Sequence, residues 1–389
     1  MTAYTLEAAI RAHQEFLLRT AEESLGAPLP ERVKDAFRAV PRHLFLDRYR
    51  TRAEGEWHHV TPDSLPDQLP AIYRNDGLGI DGDGYEDGVT ISQPAMVLQM
   101  LTLLDLAPGH RIFEVGAGSG WNAALMAELI RPGGIVETVE IRESLAARTR
   151  AAIARCGITN IHLRTGDAAA GPSEPGAQFD RAVFTAGSHD IPHFLHTAVR
   201  PGGLLLFIWK VPCGGDALIV FTRTAKAFTS RSVHRCEFVS MRGTTEASGP
   251  VQPLESFEPW PVLRDRVATR RPFPAAGADR WRTFGLRSWL SITDGRARFF
   301  ETESGPAFGL WLEDATSLAL IASSELTTYG PPAAGDALDA ALADWAQRGM
   351  PDVTDMHIHA YPAGSALAPG PGEWLIRRPA TDFICRLRR

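Results

Sequence analysis

Phe113, Glu114 and Val115 lead straight into Gly116, Ala117, Gly118, Ser119 and Gly120, an apolar run, a glycine-rich turn and then an amphipathic stretch. Glycines at such a turn let the backbone approach a ligand at a helix N-terminus. A nicotinamide-dinucleotide fingerprint needs its third glycine at 121, where Trp121 stands, and Glu114 would put a negative charge beside a pyrophosphate. A ligand with an ammonium and a sulfonium tolerates that carboxylate. An adenosyl ribose calls for an acid at the end of the next strand, where Glu140 sits 24 residues after Gly116. Gly166, Asp167 and Ala168 follow the third strand, where a short acid can accept from an adenine amino group. The set reads as an S-adenosylmethionine site, against the plainer alternative of a strand-turn-helix with solvated acids.

The elements that must hold these residues alternate in the pattern of a doubly wound parallel sheet. Strands are expected at 111–115, 135–139, 161–164, 181–184 and 204–209, with helices at 121–130, 143–156 and 191–199. A terminal antiparallel hairpin, 217–222 and 232–239, brings the count to seven. Helical spacing of apolar residues places two helices before them, at 5–22 and 30–39. Residues 44–89 lose periodicity and carry prolines and an acid-rich glycine run at 79–88, the mark of a functional loop. Prolines at 250, 253, 259 and 261 read as a linker. Beyond it, strands at 308–312, 317–323, 355–360 and 373–377 and a helix at 336–348 suggest an α+β unit, its tryptophans mostly core. Three spans follow: 1–90 helical and substrate-loop, 91–244 donor-binding core, and 245–389 a C-terminal extension that is a candidate for recognising the peptide.

Beyond the glycine loop, specific segments recur across about residues 30–243: Val40 to Phe45 (Val-Pro-Arg-His-Leu-Phe), Thr90 to Pro94 (Thr-Ile-Ser-Gln-Pro), Gly166-Asp167 with Gly171, Phe179-Asp180-Arg181 leading to Thr185-Ala186, Ile191-Pro192, Pro201-Gly202-Gly203, and Phe238 to Gly243. In these the chain resembles the protein-L-isoaspartate O-methyltransferase family. The resemblance implies a class I methyltransferase fold, S-adenosylmethionine as donor with S-adenosylhomocysteine as product, and an aspartyl-derived carboxylate in a peptide or protein as acceptor. It implies donor contacts at Glu114, Gly116, Ala117, Gly118, Ser119, Glu140, Ile141, Gly166, Asp167, Ala168 and Thr185. Ser92 and Thr185 would be catalytic, and Thr90, Ile91, Ser92 and His189 would meet the acceptor. Two departures stand out. The loop before Ser92 is acid-rich where repair-type relatives carry a short apolar segment, and the extension after 245 resembles bacterial members associated with ribosomally synthesised modified peptides, of the lanthipeptide and graspetide aspartate methyltransferase type. That closer resemblance implies an ordinary aspartate in a macrocyclic peptide, esterified and then closed to an aspartimide that can open to isoaspartate. Isoaspartyl repair and a catalytically inactive peptide-binding module are the alternatives.

A carboxylate with a pKa near 4 is ionised at pH 7 and needs no general base, so the chemistry reduces to alignment with the methyl group. Ser92 can donate to that carboxylate, just before Pro94 opens a helix whose N–H groups favour an anion; its alternative role is as an N-cap. Asp81, Asp83 and Asp87 invite a calcium reading, but Tyr85 and Ser92 stand where an EF-hand wants ligands; a lid or a solvated loop is expected. Asp355, His357 and His359 could share a strand face, and His189, His193 and His196 follow the fourth strand. No metal is expected. Forty basic against 46 acidic residues give a formal net charge of −6, which offers no bulk attraction to nucleic acid or anionic lipid. Four scattered cysteines, and no signal or spanning segment in the sequence, lead to the expectation of a cytoplasmic, monomeric protein.

Overall fold

In the computed structural model, residues 3–52, 55–82, 89–244, 252–273, 280–312, 316–365 and 368–388 are described. Most of the acid-rich run, residues 83–88, lies outside them, and with it the calcium and lid readings. Two compact units emerge, one holding Met1–Ala186, Thr197–Leu206 and Arg242–Thr244, the other Gly187–His196, Phe207–Met241 and Thr245–Arg389. This division differs from the three spans read from sequence.

The first unit begins with α1 (Ala3–Leu25) and α2 (Glu31–Ala39). Val33, Ala36 and Phe37 form the buried stripe of α2, and Gln14 of α1 donates to the carbonyls of Phe37 and Arg38 at 3.2 and 3.1 Å, satisfying the end of α2. The stretch expected to be irregular contains β1 (Arg48–Tyr49), β2 (His58–His59), α3 (Leu65–Ile72), β3 (Leu78–Asp81) and β4 (Val89–Ile91). Pro66 falls in the first turn of α3, where its missing N–H is harmless, and Pro70 removes only one bond near its end. Next come α4 (Pro94–Leu104), β5 (Arg111–Val115), α5 (Trp121–Leu129), β6 (Ile135–Glu140), α6 (Glu143–Arg155), β7 (Ile161–Thr165) and β8 (Phe179–Phe184). Strands β7, β6, β5 and β8 pair in parallel in that order, and β8 continues parallel to the start of β9 (Val199–Trp209). The helix expected at 191–199 shrinks to α7 (Leu195–Ala198), because Val199 already begins β9.

In the second unit β10 (Ala217–Arg223) and β11 (Phe228–Arg235) form the expected antiparallel hairpin. The α/β class I methyltransferase fold is thus present, five parallel strands and a hairpin making the seven. The hairpin does not end the pairing: β11 adds β18 (Met356–Pro362), followed by β20 (Thr381–Leu387) and β19 (Glu373–Arg377). Residues after 245 therefore build on the hairpin rather than standing apart from it. The rest form a second sheet in the order β12 (Gln252–Pro253), β14 (Ala297–Thr302), β15 (Gly305–Leu312), β16 (Ser317–Ala322), β17 (Glu325–Tyr329) and β13 (Val267–Pro272), with α8 (Trp260–Leu263), α9 (Arg280–Thr293) and α10 (Ala333–Gln347). The proline-rich span expected to be a linker puts Leu254, Phe257 and Leu263 into that sheet's core beside Phe300 and Leu318.

One buried cation organises the first unit. The Arg42 side chain is wholly buried and donates to the carbonyls of Ile72, Arg74, Asp76, Ile91 and Ser92, at 2.6–3.3 Å. A lysine has no planar fork to reach several carbonyls at once, so Arg42→Lys is expected to lower unfolding stability by about 3 kcal/mol. A denaturant midpoint equal to that of the parent would refute this.

Candidate active site

The glycine loop is shaped by its backbone. Gly116 and Ala117 donate to the carbonyl of Val139 at 3.0 and 3.1 Å, which anchors the turn on β6. Gly116 has φ +93° and a Cβ there would lie 2.7 Å from Thr185 Oγ1, so no other residue fits without displacement. Gly120 is constrained similarly by Thr149, whose Oγ1 also donates to the carbonyl of Gly118 at 2.6 Å. Ser119 spends its hydroxyl accepting from Trp121 N, at the start of α5.

Glu140 ends β6 and closes the loop. Its carboxylate accepts from Gly118 N and Arg142 N, both at 3.0 Å, leaving lone pairs for ribose hydroxyls. Ile141 next to it is 40% exposed, an apolar surface suited to a flat heterocycle. Gly166 donates to the Glu140 carbonyl at 2.9 Å and delivers Asp167 and the buried Ala168. Asp167 Oδ1 accepts from Ala169 N, while Oδ2 accepts from the Thr244 backbone at 2.7 Å and from its hydroxyl. Burial pushes the Asp167 pKa up, but these bonds and the Arg164 charge outweigh it and hold the carboxyl below its ordinary value. A tight glycine cradle, a ribose-ready acid, an exposed apolar side chain and a second acid fit S-adenosylmethionine.

Glu114 takes a different place from the one expected. It has no exposed surface; its carboxylate accepts from Asn122 Nδ2 at 2.7 Å and from Thr138 Oγ1 at 2.6 Å, beneath the loop rather than facing a ligand. The cause lies in the parallel sheet, where both faces of a central strand are covered. Burial, with the nearby Glu140 charge, raises its pKa to about 7 against the pull of those two donors. Thr185 is also differently employed. Its hydroxyl serves the carbonyls of Val115 and Gly116, so it positions the loop.

Val89 of β4 lies beside the loop, its side chain 4.0 Å from a Cβ built on Gly118, and Thr90, Ile91 and Ser92 follow it in the chain. The Ile91 side chain is buried, so only its backbone could meet an acceptor. Gln93 is the N-cap of α4, and Asn75 Oδ1 accepts from Ala95 N, so the helix start is satisfied without Ser92. The half-buried Ser92 hydroxyl has no hydrogen-bond partner among the described residues. Asp81, pinned by Arg48, Arg142 and Arg148, ties β3 to the same region. His189 belongs to the second unit; burial and the Arg378 and Lys210 charges push its pKa down to about 4, so its ring is neutral at pH 7. Sequence reasoning missed Arg42 and Asn75. Among the described residues no cluster of three metal-ligating groups exists and no helix is long and apolar enough to cross a membrane.

Two outcomes are expected. Glu140→Ala should weaken S-adenosylmethionine binding at least about tenfold, since both the ribose acceptor and the anchor of Gly118 are lost; an unchanged calorimetric affinity would exclude Glu140 from the donor site. Glu114 binds a proton more tightly folded than unfolded, so stability falls as pH rises from about 4.5 through 7, by about 3 kcal/mol. In Glu114→Gln that loss should vanish from urea midpoints measured across the window, and a slope matching the parent's would show that Glu114 does not titrate there.

Residues 17–246 match the family Protein-L-isoaspartate(D-aspartate) O-methyltransferase (PCMT). The protein-L-isoaspartate O-methyltransferase of Pyrococcus horikoshii is 38% identical over 191 residues, 48% of this chain and 74% of that protein. Its counterpart in Methanopyrus kandleri is 35% identical over 226 residues, 57% of this chain and 88% of that protein. A solved structure of a protein-L-isoaspartate O-methyltransferase, 19% identical, shares the fold with a TM-score of 0.52 over 89% of this chain and 96% of its own. That span reaches well past residue 246. The chain therefore belongs to the protein-L-isoaspartate(D-aspartate) O-methyltransferase family, as an S-adenosylmethionine-dependent carboxyl methyltransferase.

Proposed function

We propose that the enzyme esterifies the free α-carboxylate of an isoaspartyl residue in a peptide or protein, with Ser92 holding the acceptor. The observation that carries this is the Ser92 hydroxyl: half-buried, unused by the helix cap, and fixed from behind by the Arg42 bond to its carbonyl at 3.0 Å. The donor, when bound, supplies an electrophilic methyl group on sulfonium. The chain contributes alignment. Ser92 donates to one carboxylate oxygen, the first turn of α4 favours the anion, and the other oxygen is left to attack. The acceptor is already ionised at neutral pH, so no side chain has to remove a proton. The names of the curated relatives support isoaspartate as the acceptor.

A second reading is an ordinary aspartate in a ribosomally made, macrocyclic peptide, and the acid-rich segment before Ser92 favours it. There the methyl ester would be displaced by the following backbone nitrogen, which loses its proton as methanol departs and an aspartimide closes. The C-terminal extension does not separate the readings, because the solved family structure covers most of it in fold.

Mass spectrometry after incubation with S-adenosylmethionine distinguishes them. A one-methylene mass gain on a linear isoaspartyl peptide is expected; a gain only on a constrained aspartyl peptide, followed by loss of methanol, would establish the second reading. Ser92→Ala should lower kcat about 100-fold with donor affinity unchanged, and equal loss of both would remove Ser92 from its role.

A further inference from the structure

The second unit carries a cleft of about 720 Å³ that the methyl-transfer chemistry does not use, within the size range of ligand sites. Arg348, Arg386, Arg388, His357, Glu373 and Trp374 line it, so three guanidiniums face one carboxylate. Register explains part of this. His357 on β18 stands opposite Arg386 on β20, which stands opposite Glu373 on β19, so the three form one cross-strand row. Glu373 pairs with Arg386 at 3.9 Å, and its other oxygen accepts from Gly370 N.

Of the remaining cations, Arg388 is held by a carbonyl and Arg348 is paired with a carboxylate. Arg388 Nε donates to the Met356 carbonyl at 3.1 Å. Arg348 Nε donates to both oxygens of Asp344, and its guanidinium lies 5.7 Å from the Trp374 ring and 5.8 Å from Trp289. His357 Nδ1 is shielded and has no hydrogen-bond partner among the described residues, and burial, then the His359, Arg386 and Arg388 charges, lower its pKa. Arg348, Arg386 and Arg388 against Asp344 and Glu373 leave one positive charge in excess, which an anion would offset.

The backbone supplies the second half of the specificity. β19 is the last strand of its sheet and pairs only with β20 among the described residues, so its other edge offers N–H and C=O groups to an added strand. A peptide can use both that edge and the arginines, whereas a nucleic acid can use only the charges. We propose that this cleft binds an extended acidic peptide segment, added along β19 with its carboxylates on Arg386 and Arg388. Its identification as a segment flanking the methyl acceptor rests on the peptide substrate proposed above.

The test uses the full chain and a fluorescently labelled octaglutamate peptide, read by anisotropy. Binding is expected, should weaken about tenfold in the R386Q/R388Q double variant, and should weaken when alternate peptide nitrogens are methylated. Octalysine should not bind. Affinity unchanged in the double variant would overturn the site, and insensitivity to N-methylation together with displacement by inorganic polyphosphate would make it a simple polyanion patch. Arg388→Gln alone, on an exposed side chain, guards against misfolding and should show a smaller loss in the same direction. Kinetics supply the second arm. An isoaspartyl peptide flanked by glutamates should have a lower KM than its glutamine-flanked analogue, with equal kcat, and the difference should disappear in R386Q/R388Q. Methylation of neither peptide would defeat the acceptor proposal while the binding arm still decides the cleft; methylation indifferent to flank would defeat the flanking role alone.

Discussion

A buried guanidinium that donates to five backbone carbonyls holds the segments around Ser92 together. Arg42 satisfies carbonyls from the end of α3, from the turn after it, and from Ile91 and Ser92, segments up to 50 residues away in sequence. It also lies 5.5 Å from the ring of Trp121, whose indole N–H donates to the Val40 carbonyl at 3.1 Å. The residue that begins the helix after the glycine loop and the residue that precedes the helix carrying the acceptor site thus share one support. Carbonyl oxygens buried without donors would each cost about 1–3 kcal/mol, so the turn before α4 can exist in this form only while the arginine is there. Methyl transfer to an already ionised carboxylate is limited by alignment, and with Ser92 in the acceptor role proposed above this interaction would set it.

A second constraint acts beneath the donor loop. Glu114 and Glu140 are both buried acids on adjacent strands, yet they have opposite tasks. Glu140 accepts two backbone N–H bonds at the strand end, where a ligand can still reach it. Glu114 lies one layer deeper, receiving Thr138 and Asn122, and its proton is retained to about pH 7. The deeper acid ties β5 to β6 and to α5, which fixes the strand ends from which Gly116 and Glu140 project. Thr185 does the same from β8 through the carbonyls of Val115 and Gly116. Residues that the sequence assigns to the ligand are therefore divided between those left open at the strand ends and those that hold the loop rigid.

This division explains what could be read from the sequence. The glycine loop, the acid ending β6 and the strand-helix alternation depend on local backbone rules, and they fold as the periodicity implies. The role of Glu114 was hidden because a central parallel strand buries both faces, so alternation gives no sign of which side chain meets a ligand. Asp167 answers to Thr244, and Arg42 to carbonyls between 72 and 92; partners so distant leave no spacing to detect. The arginine and histidine inside the run from Val40 to Phe45, among apolar neighbours, were the visible clue. Prolines misled twice, at Pro66 and Pro70 in α3 and in the span 252–263, since a proline in a first turn starts a helix as readily as it breaks one.

The second unit shows how a catalytic fold acquires room for recognition without altering its chemistry. Strand β11 ends the hairpin of the methyltransferase pattern, but its free edge accepts β18 through only two residue pairs, Phe228 with Ala360 and Thr229 with His359. From that short seam β20 and β19 continue, and each added strand moves the exposed edge farther from the hairpin. An exposed strand edge is a hazard for aggregation, and proteins blunt it with charge. Here the blunting charges are arginines gathered at one end of β20 and after α10, in a cleft, rather than lysines spread along the edge. Charge placed only to repel other strands would be distributed along the exposed backbone; charge concentrated beside one stretch of it repels most extended chains and selects those that carry carboxylates at matching positions. The same edge can thus be closed to unspecific pairing and open to an acidic peptide.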